Sequence, residues 1–126
     1  MHIGALKAIF DKTKGHCHFC GDPLTFVNRG WAELADGHWE VDHVIQRDKG
    51  GAKSADNCLP ACTRCNRLRW HRTGAAMREI LFLGLLAKKE ILKGSKVGRE
   101  LEHLHRTRLS ENTSRRSVRR AKSNLP

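Results

Sequence analysis

Residues 39–44 read Trp39-Glu40-Val41-Asp42-His43-Val44, and two Cys-x-x-Cys pairs bracket them, Cys17/Cys20 before and Cys62/Cys65 behind. The turn signal Asp36-Gly37 directly precedes the segment, which reads as a strand over 38–44. A glycine turn follows at Gly50-Gly51, then Asn57, and Asn66 sits immediately after the last paired cysteine. Four thiols thus staple a scaffold on which one histidine, one acid and two amides gather.

A thiolate pair at two-residue spacing chelates one metal ion, and two pairs complete a tetrahedral Zn²⁺ site. Cys17, Cys20, Cys62 and Cys65 are therefore the expected zinc ligands. The site is closed, so its expected role is structural, with folding coupled to metal binding. A redox thiol pair is the alternative, weakened by the lack of a βαβ pattern around either pair. His16 and His18 flank the first pair and are read as solvated or phosphate-facing residues. Cys58, in an apolar context, is read as a buried small hydrophobe.

The chain has 126 residues and a formal net charge of +11, which fits one small domain with a polyanionic partner. Nucleic acid is the first candidate, because clustered Lys and Arg gain affinity by releasing phosphate counterions. A membrane partner is not expected: the longest apolar run, 80–87, is far short of the roughly 20 residues a spanning helix needs. Met1 to Phe10 is too polar for a signal peptide, so a reducing, cytoplasmic setting is expected, in which paired cysteines favour metal over disulfides.

Ile3, Leu6, Ile9 and Phe10 show helical spacing over 3–12. His16 to Gly21 reads as a knuckle turn, and 45–57 as a loop followed by a short strand over 57–61. Residues 62–72 fit a second knuckle running into a helix. Residues 75–93 form another helix, whose wide apolar face is expected to be core or a homodimer contact. Residues 94–126 carry nine Lys and Arg against three Glu. A short helix is expected over 98–109, with a disordered basic arm beyond Ser110. The fold class is α+β, divided as 1–75, a helical extension 76–109 and a tail 110–126.

Phosphodiester hydrolysis needs a base to deprotonate water and a cation to stabilise charge on the leaving oxygen. His43 has a side chain whose ordinary pKa is near neutral and suits the base. Asp42 is a hard oxygen ligand suited to Mg²⁺ or Mn²⁺, and Asn66 can add a second oxygen. In a regular strand Asp42 and His43 point to opposite faces, so the strand must end or twist there.

Trp39-Glu40-Val41-Asp42-His43-Val44, Lys49-Gly50-Gly51, Asp56-Asn57-Cys58-Leu59 and Cys62-Thr63-Arg64-Cys65-Asn66 together resemble the HNH endonucleases. The resemblance covers roughly residues 5–72 and implies the ββα-metal fold in its four-cysteine zinc version. It implies that His43 is the general base and that Asp42 holds a catalytic Mg²⁺ or Mn²⁺. It implies that Asn57 braces the loop and orients His43. Asn66 stands where the family's final histidine stands, a weaker ligand than imidazole.

The resemblance further implies that the motif helix and hairpin address the DNA minor groove. Arg64, Arg67, Arg69 and Arg72 on the helix, and Arg47, Lys49 and Lys53 in the loop, are the expected phosphate contacts, beside the blander reading of a solvated basic face. Arg115, Arg116, Arg119 and Arg120 could track the backbone. Trp70 is read as core or as a wedge. The leading expectation is a metal-dependent DNA endonuclease of bacterial or phage origin, nicking as a monomer or cutting both strands as a dimer. Specificity would come from a partner protein, if at all. The rivals are a non-catalytic zinc-stapled nucleic-acid-binding module and an RNA-binding zinc protein.

Overall fold

The computed structural model describes residues 1–32, 36–52, 54–70 and 73–123, with backbone alone for Arg47 and for 117–123. Lys53, His71 and Arg72 lie outside the described residues, as do the side chains of Arg47, Arg119 and Arg120.

Helix α1 spans Ile3–Asp11, and the ring of His2 caps it by accepting a hydrogen bond from the Ala5 amide at 3.3 Å. Leu6, Ile9 and Phe10, spaced to share a face, are the residues it buries. Strand β1, Trp39–His43, pairs antiparallel with β2, Cys58–Cys62, in a register that sets Trp39 against Cys62 and His43 against Cys58. Pro60 stands in the middle of β2 with no amide to donate, which a two-stranded ribbon tolerates. Its carbonyl is used from outside, accepting the His18 amide at 3.0 Å. Helix α2, Thr63–Trp70, follows β2 directly and packs on β1, completing the ββα unit.

The core lies between α1 and this unit. Leu6, Phe10 and Trp39 are its centre, with Leu24, Phe26 and Val41 packed against them. Phe10 meets Phe26 edge-on with ring centroids 5.3 Å apart and Trp39 at 5.4 Å. The indole N–H of Trp39, fully buried, donates to the Phe26 carbonyl at 2.9 Å, so its polar handle is satisfied. Trp39 and Val41 therefore pack inward ahead of His43.

Between the strands the chain reverses at Gly50-Gly51. Gly50 has φ +90°, and a Cβ on Gly51 would overlap the Ile45 carbonyl, so only glycine lets the loop close there.

Beyond the ββα unit two helices follow. Helix α3, Gly74–Lys93, starts on Thr73, whose hydroxyl accepts the Ala76 amide at 3.1 Å, and stops at left-handed Gly94. Ser95 caps helix α4, Lys96–Ser123, accepting the Gly98 amide at 3.1 Å. No residue of α3 is buried: Leu81 is 65% and Phe82 63% exposed. Its apolar face is thus not core in the single chain. Helix α4 runs well past the expected 98–109 and takes in 110–123, where a disordered arm was expected. The reason is polar docking, which leaves no apolar period to read. Asn112, buried, donates to the Phe19 carbonyl at 2.9 Å, and Arg108 donates to the Cys20 carbonyl and to Asp22. The helix leans on the first cysteine knuckle.

Candidate active site

The four paired cysteines converge. Their Sγ atoms all lie within 4.8 Å of one another, and Cys20 and Cys62 are 3.9 Å apart. Four sulfurs at about 2.3 Å from a central zinc would be about 3.8 Å apart along each edge of a tetrahedron, so the set fits the ion. Amides of Phe19, Asp22 and Cys65 donate to Cys17, Cys20 and Cys62 at 3.4–3.5 Å, as knuckle turns provide. Hydrogen bonds from Cys20, Cys62 and Cys65 lower the Cys17 thiol, while contacts with Cys17, Cys20 and Cys62 raise that of Cys65. Cys58 is fully buried and apart from this cluster.

His43 is the last residue of β1 and is half-buried. It lines an open cavity of about 490 Å³ together with Val41, Gln46, Asp48, Asn66 and Trp70. The backbone just beyond it is tightly held. Asn57 accepts the Ile45 amide on Oδ1 at 3.0 Å and donates Nδ2 to the Ile45 and Ala52 carbonyls, both at 2.9 Å. Its own carbonyl accepts the Val44 amide at 2.9 Å. Asn57 touches the chain next to His43 rather than the imidazole.

Asp42, one residue earlier, goes the other way. Its side chain has no exposure, and three donors converge on it: His18 Nε2 at 2.8 Å and Arg69 Nη1 at 2.6 Å on Oδ2, and Trp70 Nε1 at 3.1 Å on Oδ1. Burial alone would raise this carboxyl. The His18 hydrogen bond, the charges of His18 and Arg69 and the Trp70 indole outweigh it, and the pKa lies below the ordinary carboxylate value. Asp42 is not among the residues lining the His43 cavity. The opposed directions of Asp42 and His43 follow from strand alternation, here uninterrupted up to the strand's end.

Asn66, in α2, is 8% exposed. Its Nδ2 donates to Glu40 Oε1 at 3.2 Å, which leaves Oδ1 buried and without a partner among the described residues. A buried orphan acceptor costs about 1–3 kcal/mol, so a cation or water at this oxygen would relieve it. Asp42 Oδ1 accepts the Trp70 indole, and its Oδ2 is taken by His18 and Arg69. Asn66 Oδ1 thus retains open capacity for a hard cation, whereas Asp42 could join only by giving up part of its donor set.

The expected phosphate contacts divide. Arg64 and Lys49 are exposed. Arg67 stacks its guanidinium over Trp31 at 4.5 Å and lies 3.7 Å from Glu40. Arg69 is drawn inward, to Asp42 and to the Val44 carbonyl at 2.8 Å. Trp70 serves Asp42 and the cavity wall, not a separate core. His18, read from sequence as solvated or phosphate-facing, is instead 5% exposed and bound to Asp42. It was missed because its partner lies 24 positions away. Glu40 was missed too, although strand alternation puts it on the same face as Asp42 and so beside α2.

Comparisons with known proteins agree with this geometry. The family model for HNH endonuclease matches residues 17–72. A curated relative from Escherichia coli (strain K12), the Type IV methyl-directed restriction enzyme EcoKMcrA, is 34% identical over 80 residues. The match takes in 61% of this chain and 27% of the relative, so the chain spans little more than a quarter of that protein's length.

Proposed function

We propose, on the premise that residues 17–72 are an HNH endonuclease-family domain, that this protein is a metal-dependent endonuclease hydrolysing DNA phosphodiester bonds with His43 as general base. The observation that carries the reading is the shared cavity of His43 and Asn66, with the orphan Asn66 Oδ1 buried beside it. A phosphate entering that cavity meets an imidazole on one side and an uncommitted amide oxygen on the other.

His43 takes a proton from the attacking water, a task an imidazole is suited to. Asn57 holds the backbone at Val44 and Ile45 and so limits where the imidazole can swing. Asn66 and Asp42 are the oxygens that would hold Mg²⁺ or Mn²⁺. Bound there, the cation supplies Lewis-acid stabilisation of the leaving oxygen and of the charge on the phosphoryl group. Zinc at Cys17, Cys20, Cys62 and Cys65 ties the first knuckle to the start of α2. Arg64 and Lys49 are the basic residues free to meet phosphate near the site, with Arg47, Lys53 and Arg72 assigned the same role from sequence.

DNA selection is methyl-directed in the relative by its name. The match covers too little of that protein to carry selection over, and a partner protein remains the proposed source of specificity here. The exposed apolar face of α3 supports a homodimer, which would turn single nicks into double-strand breaks. A cytoplasmic setting is in keeping with the clustered, unbridged thiols of Cys17, Cys20, Cys62 and Cys65. Among the described residues no helix is long and apolar enough to cross a membrane.

Supercoiled plasmid incubated with the zinc-loaded protein should become nicked or linear only when Mg²⁺ or Mn²⁺ is present. His43→Ala should abolish that conversion. Undiminished cleavage by His43→Ala would sink the mechanism. The sealing of Asp42 by three donors favours one second reading, a zinc-stapled DNA-binding module without catalysis. It predicts intact plasmid that shifts on a gel under all metal conditions.

A further inference from the structure

The backbone on either side of His43 is gripped by one planar group. Arg69 Nη1 donates to Asp42 Oδ2 at 2.6 Å, and Nη2 donates to the Val44 carbonyl at 2.8 Å. Asp42 and Val44 are the residues before and after His43. A guanidinium presents parallel donors in a fixed fork, so bridging these two acceptors sets the distance between them. The intervening residue then has little freedom to rotate about the strand axis.

The fork is itself immobilised. Its Cζ lies 4.3 Å from the centroid of the Trp70 ring and 5.6 Å from that of Phe19. The acceptor Asp42 is shared with His18, which belongs to the first cysteine knuckle and whose side chain is 4% exposed. A chain of hydrogen bonds thus runs from the first cysteine knuckle through His18, Asp42 and Arg69 to the carbonyl beyond His43. Asn57 restrains the same Val44–Ile45 segment from the turn just before β2. Two unrelated side chains converging on the flank of a single histidine is more than stability of a two-stranded ribbon requires.

We infer that Arg69 is a positioning residue for His43, bridging Asp42 and Val44 on either side of it, and not a DNA phosphate contact. The inference rests on the reading of His43 as the general base. The side chain is 27% exposed, and its two outer nitrogens point at protein acceptors. A lysine keeps the charge but is a single-point donor, and it cannot span both acceptors.

The test compares Arg69→Lys, Arg69→Ala and Arg64→Ala in zinc-loaded protein, with zinc content and melting temperature confirming the fold. A misplaced base costs up to about 100-fold. Arg69→Lys should therefore lower kcat on plasmid by about 10- to 100-fold while duplex Kd stays within about twofold. Arg64→Ala, which removes an exposed cation, shows what loss of a phosphate contact looks like: weaker Kd. Backbone amide NMR signals of Val44 and Ile45 should move in Arg69→Lys without DNA or Mg²⁺ present. A weakened Kd with full kcat, or unmoved Val44 and Ile45 signals, overturns the inference. If the wild-type protein does not cut DNA, the nuclease reading fails by itself, and the amide signals alone decide whether Arg69 sets the strand end.

Discussion

Asp42 is a carboxylate in a place where burial would favour the neutral acid, yet three donors hold its charge. Its folded pKa lies below the unfolded value of about 3.9. The contribution to stability is therefore complete above that unfolded value and is lost as pH falls through the folded one. Asp42→Asn should lower the melting temperature of zinc-saturated protein at neutral pH, because it removes the charge on which His18, Arg69 and Trp70 converge. An unchanged melting temperature would show that the buried carboxylate contributes nothing to stability there. Asn57 makes a second prediction at this scale. Asn57→Ala strands the Ile45 amide and should cost about 1–3 kcal/mol in urea unfolding. Asn57→Asp should be worse, because a carboxylate oxygen would face the Ile45 and Ala52 carbonyls where Nδ2 now donates.

Strand, knuckle and helix depend on one another through the thiols. The first knuckle precedes β1 and the second ends β2, so an ion held by the four thiols would close a loop that contains the whole strand pair. Chelating the zinc should unfold residues 1–70 cooperatively, seen as lost ellipticity and a collapsed melting transition. Retention of the native spectrum in excess chelator would show the core of Leu6, Phe10 and Trp39 to be sufficient alone. Helix α4 is held to the same knuckle by Asn112 and Arg108. Asn112→Ala leaves the Phe19 carbonyl short of a donor and should cost about 1 kcal/mol. Faster proteolysis within 96–123, with the ββα unit intact, is the expected readout.

The whole molecule leaves a 20-residue helix with no buried side chain, α3, carrying Ile80, Leu81, Phe82, Leu83, Leu85 and Leu86 into solvent. Exposed apolar surface of that extent marks an association site. If a second copy covers it, sedimentation should report a dimer, and Phe82→Glu should give a folded, zinc-loaded monomer whose melting temperature no longer depends on protein concentration. A wild-type monomer at high concentration would remove the dimer from the proposal. The net charge of +11 predicts DNA affinity that falls steeply with salt, and a flat salt response would argue against phosphate as the main contact.

Local chemistry written into neighbouring residues was legible in the sequence: the cluster of Cys17, Cys20, Cys62 and Cys65 by its spacing, β1 by alternation, and α1 and α3 by apolar period. Each of those signals spans a few positions and survives whatever the rest of the chain does. The tertiary structure alone decided the partners of polar groups. His18 finds Asp42 across 24 positions, Arg69 finds Asp42 across 27, and Asn112 finds Phe19 across 93. A hydrogen bond of this kind has no periodicity and favours no residue at a fixed offset. Which arginine grips the strand end and which meets solvent depends on how α2 lies across β1, and the spacing of arginines on a helix cannot say so.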